Sequence, residues 1–207
     1  MTELTERSLS AFAAELGSRA PTPGGGGAAA LCGALAAALA AMAARLSEGS
    51  DKPALPALIE RADAQRQELL SLIDRDAEGF APLSAAYRIP KEAPGRRETI
   101  RDATLLACRA PLEMLRRAAE TAELLVELQP LCKALLLSDL GCSALLCRAA
   151  MECAAMNLFV NTRTLPNEDE ARAMTAEAEA LLTRWVPVCE ALGQSVLNTL
   201  QGVNDHG

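Results

Sequence analysis

Carboxylates at helical spacing are the groups in this chain best suited to move a proton. Asp74 and Asp76 are two residues apart, so on a helix they point about 200° away from each other and cannot serve one site together. Asp76 falls on a stripe with Leu69, Leu72, Ile73, Phe80 and Leu83, whereas Asp74 is flanked by Ser71, Arg75 and Glu78 on a wetter side. A carboxylate on an apolar face is the stronger candidate for general acid/base work, because burial raises its pKa toward neutrality. The competing reading is a structural Asp bonded to the end of a neighbouring helix.

Three further polar groups interrupt apolar surroundings. Asp139 follows Ser138 where a helix is expected to open, and its side chain either caps free backbone donors there or takes part in chemistry. Asn157 and Asn161 are four apart on one helix face. A buried amide without partners costs about 1–3 kcal/mol, so these two either bridge helices or hold a polar ligand. Gly24, Gly25, Gly26 and Gly27 precede a helix whose unpaired N–H groups favour an anion or a close-lying ligand. The Gly-Lys-Ser/Thr of a phosphate loop is missing, so nucleoside triphosphate binding is not supported.

Other chemistries lack their central residue. The only histidine is His206, beside the C-terminus, which leaves no Ser-His-Asp triad, Cys-His pair or histidine zinc site. The seven cysteines are scattered through apolar helical stretches without a C-x-x-C pair, as expected of reduced, buried thiols in a cytosolic protein. A net charge of -7, with no long basic run, argues against nucleic acid. The polar, glutamate-containing Met1–Arg7 segment is unlike a signal peptide, so a cytoplasmic location is expected.

The elements that must position these groups are helices. With 207 residues, 50% hydrophobic and 2% aromatic, and rich in Ala, Leu, Glu and Arg, the chain suits an all-α, single-domain bundle of five or six helices spanning 1–207. Helices are expected at about Thr5–Leu16, Ala28–Leu46, from Pro53/Pro56 to Tyr87, and Arg96–Leu128 with a kink near Pro111. Ser138-Asp139 is expected to cap a fifth to Asn161. Asn167 with Glu170 resembles a capping box for a sixth, bent near Pro187, reaching Leu200. Tight packing of small residues explains the uncharged Ala28–Ala44 stretch better than a membrane span. Two helices apolar on nearly every side suggest burial against a second subunit.

Taken in order, Pro21-Thr22-Pro23-Gly24-Gly25-Gly26-Gly27-Ala28, Leu72-Ile73-Asp74-Arg75-Asp76-Ala77-Glu78-Gly79-Phe80, Ser138-Asp139-Leu140-Gly141 and Ala155-Met156-Asn157-Leu158-Phe159-Val160-Asn161 resemble the formiminotetrahydrofolate cyclodeaminase / methenyltetrahydrofolate cyclohydrolase family. The resemblance spans about residues 5 to 200. It implies an all-helical homodimer acting on a tetrahydrofolate-bound one-carbon unit, with no permanently bound cofactor and no metal. It also implies Asp76 as general acid/base and Asp139 as an orienting or second proton-transfer carboxylate. Gly24, Gly25, Gly26, Gly27, Ser138, Asn157 and Asn161 are then the substrate-binding set. Two segments depart from the family pattern. A Gly-Asn-rich turn before Ser-Asp is replaced by Lys133-Ala134-Leu135-Leu136-Leu137, and basic and tyrosine residues after the second helix by Ser47-Glu48-Gly49-Ser50-Asp51. The alternative to an enzyme is therefore a folate-binding relative that has lost turnover.

Overall fold

A computed structural model describes residues 3–49 and 51–202; Met1, Ser50 and His206, weighed above, lie outside them. Among the described residues there are six α-helices and no strand: α1 (Leu9–Leu16), α2 (Gly25–Ser47), α3 (Leu55–Ala86), α4 (Arg96–Leu128), α5 (Leu137–Thr162) and α6 (Asp169–Leu200). Pro56 lies in the first turn of α3, and Gly95, at φ 75°, supplies the left-handed residue that turns the chain into α4. Pro82, Pro111 and Pro187 are carried inside α3, α4 and α6.

Helix α2 packs against α3 and α5, while α4 closes the group and α6 lies across α4 and α5. Small residues set these distances. The wall of α2 formed by Ala30, Ala36, Ala37, Ala40, Ala43 and Ala44 is fully buried. A Cβ on Gly33 would stand 3.0 Å from a Leu69 methyl and 3.5 Å from the Ala150 Cβ, so α2 is wedged between α3 and α5. Ser143 Oγ donates to the Ala36 carbonyl at 2.7 Å. With Gly25 beside Asn157 at one end and Ser143 beside Ala36 farther along, α2 and α5 run antiparallel.

Several boundaries correct the sequence reading. The first helix is interrupted: a 3-10 turn at Leu4–Glu6 is followed by α1, which Ser8 caps by accepting from the Ala11 N–H. The glycines are not ahead of α2, because Gly25, Gly26 and Gly27 form its first turn with Gly24 as cap. Ser138 and Asp139 do not cap α5. That helix starts at Leu137, led in by a 3-10 turn at Ala134–Leu136, and both residues already lie within its first turn. Nor do Asn167 and Glu170 form a capping box, since Glu168 precedes α6 without a side-chain cap. Not all cysteines are buried either: Cys108, Cys147 and Cys189 are, Cys32, Cys132 and Cys153 are half-buried, and Cys142 is exposed.

Helices α2 and α5 combine length with mean hydropathies of 1.9 and 1.5 over their most apolar windows. Both pack along other helices of the bundle, yet α5 and α2 also present Leu35, Met42, Leu46, Leu145, Met156 and Val160 to the outside.

Candidate active site

The site is built where the N-terminus of α2 meets the middle of α3 and the C-terminal part of α5. A cleft of about 150 Å³ is lined there by Gly24, Gly25 and Gly26 of α2, Asp76 and Phe80 of α3, Pro111 of α4, and Asn157, Val160 and Asn161 of α5. Asp76 reaches this place because the apolar stripe it interrupts packs α3 on α2: Leu69 and Leu72 are fully buried and Ile73 nearly so.

Its carboxylate takes the space beside the glycine turn. A Cβ on Gly26 would overlap both Asp76 oxygens and lie 2.5 Å from Cγ. The Gly27 N–H donates a hydrogen bond to the same carboxylate, so Asp76 satisfies one of the free donors of a helix it does not belong to. Burial pushes the Asp76 pKa up to about 6, and the Gly27 N–H opposes this only in part. Asp76 therefore holds the end of α2 with a carboxylate whose pKa burial has raised toward neutrality.

The amides stand opposite. Asn157 is so close to Gly25 that a Cβ there would be 3.0 Å from its Nδ2. Asn157 Nδ2 donates back to the Cys153 carbonyl at 2.8 Å, and Asn161 Nδ2 to the Asn157 carbonyl at 3.2 Å. Each Nδ2 spends one of its two N–H donors on its own helix, and both side chains keep the Oδ1 acceptor. The free N–H groups of the α2 turn supply donors and a positive dipole end. A ligand in this cleft would thus meet donors on one wall, acceptors on the other and a titratable carboxylate between them.

Of the residues singled out from sequence, Asp76, Gly24, Gly25, Gly26, Asn157 and Asn161 line one cleft, with Gly27 just behind it on Asp76. Asp139 and Ser138 do not join them within the chain. They open α5 at its far end, about 27 Å from Asn157 at 1.5 Å per residue. Asp139 is half-buried there, and Ser138 is exposed. Pro21, Thr22, Phe80, Ala107, Pro111 and Val160 complete the lining without having been singled out for it. Thr22 sits inside the Pro-Thr-Pro-Gly block, and Phe80 is one turn beyond Asp76 on its stripe, so those two had a signal; Pro111 showed only as a break in helix periodicity.

Asp74, two residues from Asp76, faces the opposite way as the helical spacing requires. It accepts the Leu4 N–H at 2.6 Å and the Thr5 hydroxyl at 2.8 Å, fastening the chain ahead of α1 to α3.

The Formiminotransferase-cyclodeaminase family profile matches residues 8–180. Methenyltetrahydrofolate cyclohydrolase of Methylorubrum extorquens is 32% identical over 197 residues, which is 91% of this chain and 95% of that protein. Formimidoyltransferase-cyclodeaminase of Rattus norvegicus is 30% identical over 174 residues; the match takes in 80% of this chain but 32% of that longer protein. In fold, the crystal structure of formiminotetrahydrofolate cyclodeaminase from Thermotoga maritima is similar with a TM-score of 0.83 and 27% identity, over 97% of this chain and 99% of that one. Matched over most of its length by profile, by sequence and by fold, the chain belongs to the formiminotransferase-cyclodeaminase family.

Proposed function

We propose that this chain is a folate one-carbon enzyme that works as a single-domain homodimer in the cytoplasm. Its reaction is hydrolysis of 5,10-methenyltetrahydrofolate to the 10-formyl compound, cyclisation of 5-formiminotetrahydrofolate with release of ammonia, or both. The observation that carries the reading is the Asp76 carboxylate, held at the glycine turn with a pKa near 6 and facing two amide acceptors.

Both reactions pass through a tetrahedral carbon between N5 and N10, and both involve a cationic amidinium group. In the hydrolysis, Asp76 takes a proton from the water that attacks the methenyl carbon. It returns that proton to N5 as the N5–carbon bond breaks, and the remaining hydroxyl proton leaves to solvent as the C=O forms, so the formyl group stays on N10. In the cyclisation, N10 attacks the formimino carbon, Asp76 takes the N10 proton and passes it to the departing nitrogen, which leaves as ammonia. The same anion lowers the energy of the cation it faces. Asn157 and Asn161 offer acceptors to the donor-rich pterin edge, and the N–H groups of the α2 turn suit a carboxylate or a carbonyl.

The dimer is supported by apolar side chains on the outside of α2 and α5, which a second copy would cover. Loss of the methenyl chromophore and release of ammonia, followed with the two tetrahydrofolate derivatives, test the function. Rates no higher than those of buffer, together with calorimetric binding of the same compounds, would make the chain a folate binder. Light scattering at micromolar concentration tests the dimer.

A further inference from the structure

The outer face of α5 reads the same from both ends. Ser138, Cys142, Leu145, Ala149, Cys153, Met156 and Val160 follow one another at steps of three or four, so they share one side of the helix. Cys142 is exposed, as are Leu145, Met156 (68% exposed) and Val160. About Ala149 the series is symmetric. Ser138 and Val160 stand equally far before and after it, as do Cys142 and Met156, and Leu145 and Cys153. A two-fold axis at Ala149 would set a small residue against its own copy, where two helices approach to about 8–10 Å. It would oppose apolar or thiol side chains along most of the contact. The charges on its flank are already paired within the chain, Arg148 with Glu152 at 3.3 Å and with Glu190 at 3.1 Å. Closing the contact therefore strands none of these three charges.

Such an axis exchanges the two ends of α5. Asp139, about 27 Å from the cleft along its own chain, is carried on the second copy to the level of Phe159, beside Val160 and Asn161, which line the cleft. Val160, 49% exposed, belongs to both the cleft and the apolar face, so the cleft borders the surface that a second copy would cover.

From this end-for-end symmetry we infer that the active site is composite, with Asp76 from one chain completed by Ser138 and Asp139 of the partner subunit. The inference rests on the homodimer and on the Asp76 assignment proposed above. It gives Asp139 its place in the chemistry: a second carboxylate at the rim of the cleft, beside Val160 and Asn161.

Mixing two inactive variants decides it. Asp76→Asn and Asp139→Asn are each expected to lose at least about tenfold in kcat/KM while keeping parent helical content by circular dichroism. Refolded together in equal amounts, they form mixed dimers in which one of two sites pairs an intact Asp76 with an intact Asp139. Activity should return toward about a quarter of the parent's. No recovery from two folded, inactive variants means that the partner's Asp139 does not complete the Asp76 site and overturns the inference, as does a parent-like rate for Asp139→Asn alone. Should Asp139→Asn not fold, Ser138→Ala takes its place in the same mixture, with the same two outcomes.

The register has its own readout. Met156→Cys places a thiol opposite Cys142 of the partner, and oxidised glutathione should convert it to a covalent dimer that the parent does not give. Absence of that dimer sinks the symmetric contact. If Asp76→Asn alone turns over at the parent rate, the acid/base reading fails instead, and the cross-link still decides whether the partner's Asp139 reaches the cleft.

Discussion

Gly26 and Asp76 exclude each other's side chains: the space a Cβ would take on Gly26 is filled by the Asp76 carboxylate, whose Cγ would be 2.5 Å away. The glycine is thus required by a neighbour from another helix. Its backbone conformation needs no glycine, since it lies inside the first turn of α2. At Gly24 the situation is reversed, with only the Pro21 carbonyl at 4.0 Å from a built Cβ. Gly26→Ala is therefore expected to displace Asp76, destabilise the fold by about 1–3 kcal/mol through overpacking, and lower kcat/KM at least about tenfold. Gly24→Ala should stay within about 1 kcal/mol of the parent. Thermal melts and initial rates on the pair separate crowding at Asp76 from a general intolerance of the turn.

Asp76→Asn keeps an acceptor for the Gly27 N–H and removes the ionisable group. A loss of about 10²-fold or more in kcat is expected, with the fold intact. Stability should respond in the opposite direction to the usual carboxylate. The folded pKa of about 6 lies above the unfolded value near 3.8, so between those pH values the folded state holds more protons than the unfolded one. The parent is then relatively favoured below about pH 4 and loses up to about 3 kcal/mol as pH rises through 6, less whatever solvent screening removes at this half-buried group. Asp76→Asn lacks that loss, so its Tm should equal or exceed the parent's at pH 8. A variant that melts much earlier yet turns over normally per folded molecule would make Asp76 a purely structural cap.

The same titration governs the rate. Asp76 must be ionised to take a proton from water or N10, so kcat/KM is expected to fall on the acid side with an inflection near pH 6. A pH-rate profile flat from pH 5 to 8 would assign proton transfer elsewhere.

What could be read before folding and what could not divides by distance along the chain. Helix periodicity located all six helices, and the break at the glycines and the stripe through Asp76 marked two walls of the cleft, because each of these signals is local. The amide pair on α5 was visible for the same reason. The starts of α5 and α6 were not: Ser138, Asp139 and Asn167 have capping side chains, but α5 is led in by the 3-10 turn at Ala134–Leu136, and Glu168 precedes α6 without a side-chain cap. Nor could motif order along the sequence reveal that Ser138-Asp139 and Asn157 occupy opposite ends of one helix, since a helix 26 residues long holds its two termini far apart. The Leu4–Asp74 bond spans 70 positions and has no periodic trace at all.

That bond supplies the sharpest contrast with Asp76, since both carboxylates sit on α3 only two residues apart and serve different ends. Asp74 accepts one backbone and one hydroxyl hydrogen bond from Leu4 and Thr5. The segment it fastens leads into α1, whose buried Phe12 would lie 3.9 Å from a Cβ on Gly27, so Asp74 braces the back of the glycine turn from outside the cleft. Removing the carboxylate leaves the Leu4 N–H without its partner and frees the end of the chain. Asp74→Ala is expected to cost about 1–3 kcal/mol of stability, read as an earlier Tm, with kcat per folded molecule within about threefold of the parent. Asp76→Asn predicts the opposite pair of readings. If Asp74→Ala instead abolishes turnover without moving the melt, the roles of the two aspartates are exchanged and the apolar stripe of α3 has been followed to the wrong carboxylate.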